Sequence, residues 1–321
     1  MNDMIAANTS DRPSRADWQA RMGEIGKMHG FFEHLGRDHF ALYVQEGNTL
    51  LVSFDEVDRV IAKGNEALPV GFEAVKAREW SMLSILADGR TWFRDQGLCR
   101  FFDKLTDEGF FESFDQVIFL GAGPMCGHAA AAYSVAAAGA KVLVLSPAAT
   151  LEREAAPFEL RFRAAWRKDF SNRYGYAPDM IETASQSFVI YDPLEVLDAA
   201  HAALFRAKTC HRLRFRGGGA SILSLLEPHG NLDRILKAIA NGRMTDLRFA
   251  QITRRLRQSD RGYLERLLAR AEDRGGARLA AIVARRALKA TGAAHFARRL
   301  SALEAQLAET GKAPPVAVAG E

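Results

Sequence analysis

Cysteine is scarce in this sequence. The chain has three cysteines in 321 residues, Cys99, Cys126 and Cys210, and no two of them form a Cys-x-x-Cys pair. This spacing excludes a disulfide-rich scaffold and a cysteine zinc site, and a sparse, odd count is typical of a reducing compartment. We therefore expect no metal and no bound cofactor.

The sequence also lacks a long apolar run. Residues 1–17 are polar and hold no apolar stretch of the kind found in signal peptides. The longest apolar stretch, residues 129–145, is interrupted by glycine and lysine and is too weakly hydrophobic to cross a bilayer. The sequence thus predicts a soluble, cytoplasmic protein without a membrane span.

A strong excess of one charge is missing from the chain as a whole, whose net charge is +4 and whose 48% apolar residues can bury a large core. Only residues 241–300 are distinctly basic, with fifteen Lys and Arg against five Asp and Glu. Such a field attracts polyanions, but few aromatic side chains are present to stack on bases. We interpret this segment as an interaction or oligomerisation segment, with polyanion or membrane-surface binding as the alternative. Nucleic acid is not expected as a partner.

Short apolar strands alternate with helical segments over the first 240 residues. Strand-like runs lie at residues 40–44, 49–54, 117–120, 142–145, 187–191 and 211–215, and helical spacing occurs at residues 57–66, 101–110 and 197–207. This alternation predicts an α/β fold, with a mostly parallel sheet and helices on both faces. Glu46-Gly47-Asn48, between the first two runs, predicts a β-hairpin.

From about residue 246 the helical spacing continues without any strand signal. Breaks at Gly262, Gly275-Gly276 and Gly292 predict four helices. The predicted organisation is a disordered lead, an α/β domain, an arginine-rich helical segment and a tail, at residues 1–20, 21–240, 241–311 and 312–321. The helical segment is the expected contact for a protein partner or a second copy of the chain.

Residues 115–147 are the most informative stretch. A short apolar strand runs into the turn Gly-Ala-Gly-Pro-Met-Cys-Gly at residues 121–127, which an alanine-rich helix and a second apolar strand follow. This is a β-turn-α-β unit, and its alanines allow the helix to approach the sheet closely. Such a turn suits two kinds of site, a dinucleotide phosphate cradle and a nucleophile elbow.

As a dinucleotide site the turn reads Gly-x-Gly-x-x-Cys, with the third glycine displaced to Gly127. The next strand ends at Ser146, where a dinucleotide site needs an acidic residue for the ribose. In this alternative the cofactor-binding residues of an oxidoreductase would be Gly121, Gly123 and Gly127.

As a nucleophile elbow the unit resembles the α/β-hydrolase fold. It is most similar to a bacterial subgroup whose elbow reads Gly-x-Ser-Met-Gly-Gly-Tyr-Ala-Ala and whose next strand ends in Ser-Pro. When the two are matched at Met125 and Gly127, the nucleophilic serine falls on Pro124. The elbow exists to expose a hydroxyl above the sheet, and proline has none. The resemblance covers residues 40–235 and implies an α/β-hydrolase-like domain without its nucleophile.

The resemblance also implies positions for the other two triad members. Asp192 follows a buried strand, where the fold holds its acid. The histidine belongs after the next strand, but residues 216–219 read Arg-Gly-Gly-Gly. A triad needs its base within hydrogen-bonding reach of the nucleophile and its acid behind the base. Two missing members therefore predict a pseudoenzyme with a degenerate triad.

Other residues could restore catalysis. Cys126 lies in the first turn of the helix, where a thiol is more acidic than usual. His128 or His229 could be its base, with Asp192 behind the histidine. Structural roles compete with these: a small cysteine packing the helix, a polar first-turn histidine and an aspartate shaping a turn.

The function favoured by the sequence is that of a non-catalytic or weakly catalytic α/β-hydrolase-like protein that binds a ligand or serves as a scaffold. A thiol-dependent hydrolase or acyltransferase using Cys126 is one alternative, and a dinucleotide-dependent oxidoreductase using residues 121–127 is another. A phosphoadenylyl-sulfate reductase is the least favoured, because its Ser-Gly-Gly-Lys-Asp-Ser type loop is missing and only Cys126-Gly127 matches its cysteine tail.

Overall fold

One eight-stranded sheet organises the chain. The computed structural model describes residues 12–64, 67–274 and 276–309. The strands are β1 (Gly30–His34), β2 (His39–Val44), β3 (Thr49–Glu56), β4 (Ser81–Ala87), β5 (Gln116–Ala122), β6 (Lys141–Leu145), β7 (Gln186–Tyr191) and β8 (Cys210–Arg214). They lie in the order β1-β2-β4-β3-β5-β6-β7-β8. Strands β3 to β8 are all parallel to one another, whereas β2 is antiparallel to both of its neighbours, β1 and β4.

Helices connect the strands and extend the chain beyond them. They are α1 (Arg15–His29), α2 (Val57–Ile61), α3 (Phe72–Lys76), α4 (Gln96–Asp107), α5 (Pro124–Tyr133), α6 (Ala177–Met180), α7 (Val196–Leu204), α8 (Leu223–Leu226), α9 (Asn231–Ala240), α10 (Asp246–Ser259), α11 (Arg261–Asp273), α12 (Ala277–Thr291) and α13 (Ala294–Glu309). The predicted class, a mostly parallel α/β sheet followed by an all-α segment, is confirmed. No helix within the described ranges is long and apolar enough to cross a membrane.

The predicted hairpin at residues 46–48 is wrong. Strands β2 and β3 exist, but β4 lies between them, antiparallel to β2 and parallel to β3. Strand β2 is buried along its whole length and β3 along all but its ends, as expected of interior strands with neighbours on both sides. The antiparallel hairpin is instead formed by β1 and β2.

The first helix lies partly inside the predicted lead of residues 1–20. Ser14 caps α1 by accepting a hydrogen bond from the Asp17 amide. Trp18 is fully buried, and its indole N–H donates to the Ala67 carbonyl over 3.0 Å. The side chain thus attaches residues 15–20 to the domain. Residues 1–11 and the predicted tail at 312–321 lie outside the described ranges.

The four C-terminal helices α10 to α13 follow the prediction closely. The first break lies at Asp260, whose side chain caps α11 by accepting from the Tyr263 amide, so that Gly262 lies inside that helix. These helices share one apolar cluster with a face of the sheet. Phe215, just after β8, packs against Phe249 of α10 and Tyr263 of α11, with ring centroids 5.8 and 6.1 Å apart. The helical segment therefore packs on one face of the sheet, next to β8.

Candidate functional site

The turn between β5 and α5 has the shape of an elbow. Strand β5 ends at Ala122, Gly123 has φ 85° and ψ 171°, and α5 begins at Pro124. Because the proline ring holds φ near −65°, Pro124 cannot take the left-handed turn, which falls on Gly123 instead. A Cβ built on Gly123 would meet no atom within 4 Å. Gly123, the residue at the tip of the elbow, thus has no side chain, and the next residue, Pro124, has no hydroxyl.

The other two glycines of the turn allow close packing. A Cβ on Gly121 would lie 2.1 Å from the Cys126 carbonyl oxygen, and one on Gly127 would lie 2.9 Å from the Cβ of Pro147. Both glycines are therefore needed to bring α5 against β5 and against the loop after β6. Of the three glycines proposed for a dinucleotide, only Gly123 faces open space.

Cys126 is buried under the elbow, with 1% of its surface exposed. Burial, and then the negative charge of Asp55, raise the pKa of the Cys126 thiol well above its ordinary value, while Arg59 acts in the opposite direction. A buried thiol with a raised pKa is protonated at neutral pH and is a poor nucleophile. In this structure Cys126 packs the helix against the sheet.

His128 is buried two residues further along α5. Its Nδ1 lies 3.3 Å from the Ala149 carbonyl, and the rings of Trp92 and Phe170 pack around it. Burial, and then the positive charge of Arg94, lower the pKa of His128 to about 3. The imidazole is therefore neutral at physiological pH, and its Nδ1–H donates to Ala149. Its Nε2 has no partner in the described part of the chain.

Asp192 is fully buried directly after β7. Its carboxylate accepts hydrogen bonds from the backbone amides of Leu194, Gly217 and Gly219, at 2.9, 3.1 and 2.9 Å. Arg270 of α11 places Nη1 3.3 Å from the same carboxylate. Amides of the glycine loop thus hold the carboxylate that would orient a histidine in an active hydrolase.

His229 lies at the surface. Its Nε2 is 2.8 Å from an Asp260 carboxylate oxygen, and 44% of its side chain is exposed. Asp260 is also the cap of α11. The hydrogen bond therefore fixes the segment before α9 to the start of α11.

The structure collects the elbow, the acid and the glycine loop at one edge of the sheet. Gly123, Asp192 and Gly217 follow β5, β7 and β8, whose carboxyl ends meet at the edge where open α/β sheets bind ligands. Cys126, His128, Asp192 and His229 do not form a hydrogen-bonded set there. Each contacts other groups, as described above. No group of three or more possible metal ligands occurs in the described ranges.

A second buried polar network was not predicted from the sequence. His201 of α7 accepts a hydrogen bond at Nδ1 from the Ala149 amide, over 3.1 Å, and its Nε2–H donates to Glu159 over 2.9 Å. Burial would raise the pKa of Glu159, but hydrogen bonds from His201 and Arg161 lower it to about 2. Ala149 therefore joins His128 and His201 through its carbonyl and its amide. Glu159 and Arg161 are two residues apart, but His201 lies 42 positions after Glu159. No local sequence motif therefore indicates that these three residues interact.

No protein-family model and no curated protein matches the chain. Among solved structures it resembles an esterase from Pyrobaculum calidifontis, with 16% identity, 72% of this chain and 92% of that chain covered, and a TM-score of 0.42. Est1E from Butyrivibrio proteoclasticus shares 12% identity over 58% of this chain and 87% of its own, with a TM-score of 0.37. A capsule O-acetyltransferase of Neisseria meningitidis serogroup A shares 12% identity over 63% of this chain and 93% of its own, with a TM-score of 0.38.

At such identities and scores the likeness carries no activity over to this chain. The class of the protein is given by its own topology. A strand β5 that enters a left-handed elbow, an alanine-rich helix α5 and the order β1-β2-β4-β3-β5-β6-β7-β8 define an α/β-hydrolase-like fold. The resemblance noted in the sequence is confirmed at the level of the fold.

Proposed function

We propose that this chain is a non-catalytic member of the α/β-hydrolase-like class, acting in ligand binding or as a scaffold. The observation that carries the proposal is the elbow itself. Its left-handed residue is Gly123, and Pro124 follows as the first residue of α5. Nucleophilic catalysis in this fold needs a side-chain oxygen or sulfur at that point.

The surroundings of the elbow support the same proposal. The nearest thiol, that of Cys126, is buried and has a raised pKa. Asp192 is occupied by amides of the glycine loop and by Arg270. The loop where the resemblance would place the base has no side chain between residues 217 and 219. A hydrolase would need all three positions rebuilt.

The test is a hydrolysis assay with short acyl esters, comparing the wild type with Cys126→Ala and with Gly123→Ser. We expect wild type and Cys126→Ala to hydrolyse the esters at the same background rate. We also expect Gly123→Ser to gain no activity, because a hydroxyl at the elbow would still lack a base. Turnover that Cys126→Ala abolishes would show a thiol enzyme and overturn the proposal.

A further inference from the structure

A second concave site lies away from the elbow, where α9 ends and α10 begins. The pocket has a volume of about 540 Å³. Its lining residues are Arg234, Lys237, Ala238, Asn241, Arg243 and Arg248. Lys141, the first residue of β6, donates to the carbonyl of Ala240, the last residue of α9. The pocket therefore lies toward the amino ends of the parallel strands, at the edge opposite the elbow.

Four cationic side chains line the pocket, and no carboxylate does. Arg234, Lys237, Arg243 and Arg248 are exposed, and within the described ranges none of them forms an ion pair. Arg78 differs from them, because it pairs with Asp233 on α9 itself. Four like charges around one concavity repel one another. Because no carboxylate lines the pocket, their positive potential is not balanced there and can attract an anion.

The end of α9 does not supply that counter-charge. The carbonyls of Lys237, Ala238 and Ile239 accept hydrogen bonds from the amides of Asn241, Arg243 and Gly242, at 3.1, 2.8 and 3.0 Å. Gly242, with φ 64°, allows the chain to turn back in this way. Because backbone amides satisfy these carbonyls, the pocket side chains remain available to an external anion.

We propose that this pocket binds the phosphate or pyrophosphate group of a small molecule. Arginine presents a planar fork of N–H donors that matches phosphate oxygens, and lysine adds a point charge. The volume lies in the range of small-ligand sites. Buried Ala238 and the aliphatic stems of the cationic residues provide an apolar wall beside the charged groups.

This site is independent of the elbow. None of its residues takes part in the proposal that the chain is non-catalytic, and a failure of one proposal leaves the other untouched. The phosphate site also gives the basic character of residues 241–300 a specific location, because Arg243 and Arg248 belong to that segment.

Calorimetric titration with pyrophosphate and with tripolyphosphate tests the site. The pocket variant is Lys237→Gln/Arg243→Gln, and the matched control is Arg254→Gln/Arg255→Gln, which removes two exposed charges of α10 outside the pocket. We expect binding by the wild type, an affinity at least about 10-fold weaker in the pocket variant, since charge-assisted hydrogen bonds are lost, and a control within about twofold of the wild type. All substituted residues are exposed, so the fold should persist, and melting curves check this.

Three outcomes would overturn the proposal. The first is no binding of either polyphosphate to the folded wild type. The second is an equal loss in both double variants, which would show a diffuse surface field. The third is binding of anionic phospholipid vesicles or of single-stranded DNA that needs Lys237 and Arg243 while tripolyphosphate does not bind, which would assign the site to a macromolecule.

Discussion

Two residues explain why the elbow-like turn at residues 121–127 carries no nucleophile. The sequence match put the missing serine on Pro124, whereas the backbone puts the left-handed position on Gly123. The difference of one residue arises because a ring-locked φ cannot be accommodated in a left-handed turn. Neither residue offers a group to deprotonate.

The glycines of the elbow should respond differently to alanine. Gly123→Ala meets no neighbour but keeps a positive φ, so we expect a loss of about 1 kcal/mol in the free energy of unfolding. Gly127→Ala places a Cβ 3.0 Å from the Cα of Pro147, and the backbone must shift, so we expect a loss of about 2–3 kcal/mol. Urea unfolding of both variants measures the difference. The reverse order would contradict the elbow geometry.

His128 should make the stability depend on pH between 6.5 and about 3. Its folded pKa of about 3 lies below the ordinary 6.5, so the unfolded chain binds the proton more readily. Its contribution to stability is therefore complete above pH 6.5 and decreases as the pH falls, by up to about 1.4 kcal/mol per pH unit. Glu159, with a folded pKa of about 2 and an ordinary value of 4.5, makes the stability depend on pH only below pH 4.5, where its stabilising contribution is lost as the pH falls.

The test for His128 is urea unfolding of the His128→Gln variant between pH 6.5 and 4.5. We expect the variant to have a slope of stability against pH that is flatter by about 1 kcal/mol per pH unit. His211→Gln, which changes an exposed histidine, serves as the control and should keep the wild-type slope. An unchanged slope in His128→Gln would contradict the burial of this imidazole.

At the scale of elements, the unit of β5, α5 and β6 was predictable because its signals are local. Strand, turn, helix and strand follow one another within residues 115–147, and each has its own apolar or glycine pattern. The pairing partners of β2 and β3 were not predictable, because β4, which lies between them in the sheet, begins 25 residues after the end of β3. Strand pairing is a tertiary choice that residues 45–48 alone do not determine.

Local sequence patterns likewise did not predict which side chains contact the candidate site residues. Asp192 was identified from its place after a buried strand, but its donors in the glycine loop and Arg270 come from 25 to 78 residues later. The rings that pack around His128 belong to Trp92 and Phe170, and the charged groups that act on buried Cys126 belong to Asp55 and Arg59. These contacts decide between a reactive and a structural role, and only the folded chain shows them.

Asp192 should act as a structural link between elements. Asp192→Asn keeps the size of the side chain but removes the charge that accepts from the glycine loop and pairs with Arg270. We expect a loss of about 2–4 kcal/mol in the free energy of unfolding, together with faster hydrogen exchange at residues 217–219. Asp246→Asn, at an exposed position, is the matched control. A cost below about 0.5 kcal/mol for Asp192→Asn would contradict the role.

At the scale of the whole molecule, the sheet and the C-terminal helices share one apolar cluster, and we therefore expect them to unfold as one cooperative unit. All four tryptophans, Trp18, Trp80, Trp92 and Trp166, lie before residue 241, so their fluorescence reports on the α/β part alone. Far-UV circular dichroism is dominated by the helices. We expect the two signals to give coincident unfolding curves.

A core substitution in the helical segment tests whether the two unfolding curves remain coincident. Phe249→Ala removes a ring that packs on Phe215, at a cost of about 3–5 kcal/mol. Both the fluorescence and the dichroism curves should shift together to lower urea concentration. A shift of the dichroism curve alone would show that residues 241–309 unfold as a separate domain.

An elbow without a nucleophile forms no covalent intermediate, and intact-protein mass spectrometry after mixing with an activated acyl ester would detect such an intermediate. An acyl-enzyme adds the mass of one acyl group within the first turnover. We expect no stoichiometric adduct on the wild-type chain, and likewise none on Cys126→Ala. A rapid, single adduct that is present in the wild type and absent from Cys126→Ala would contradict it.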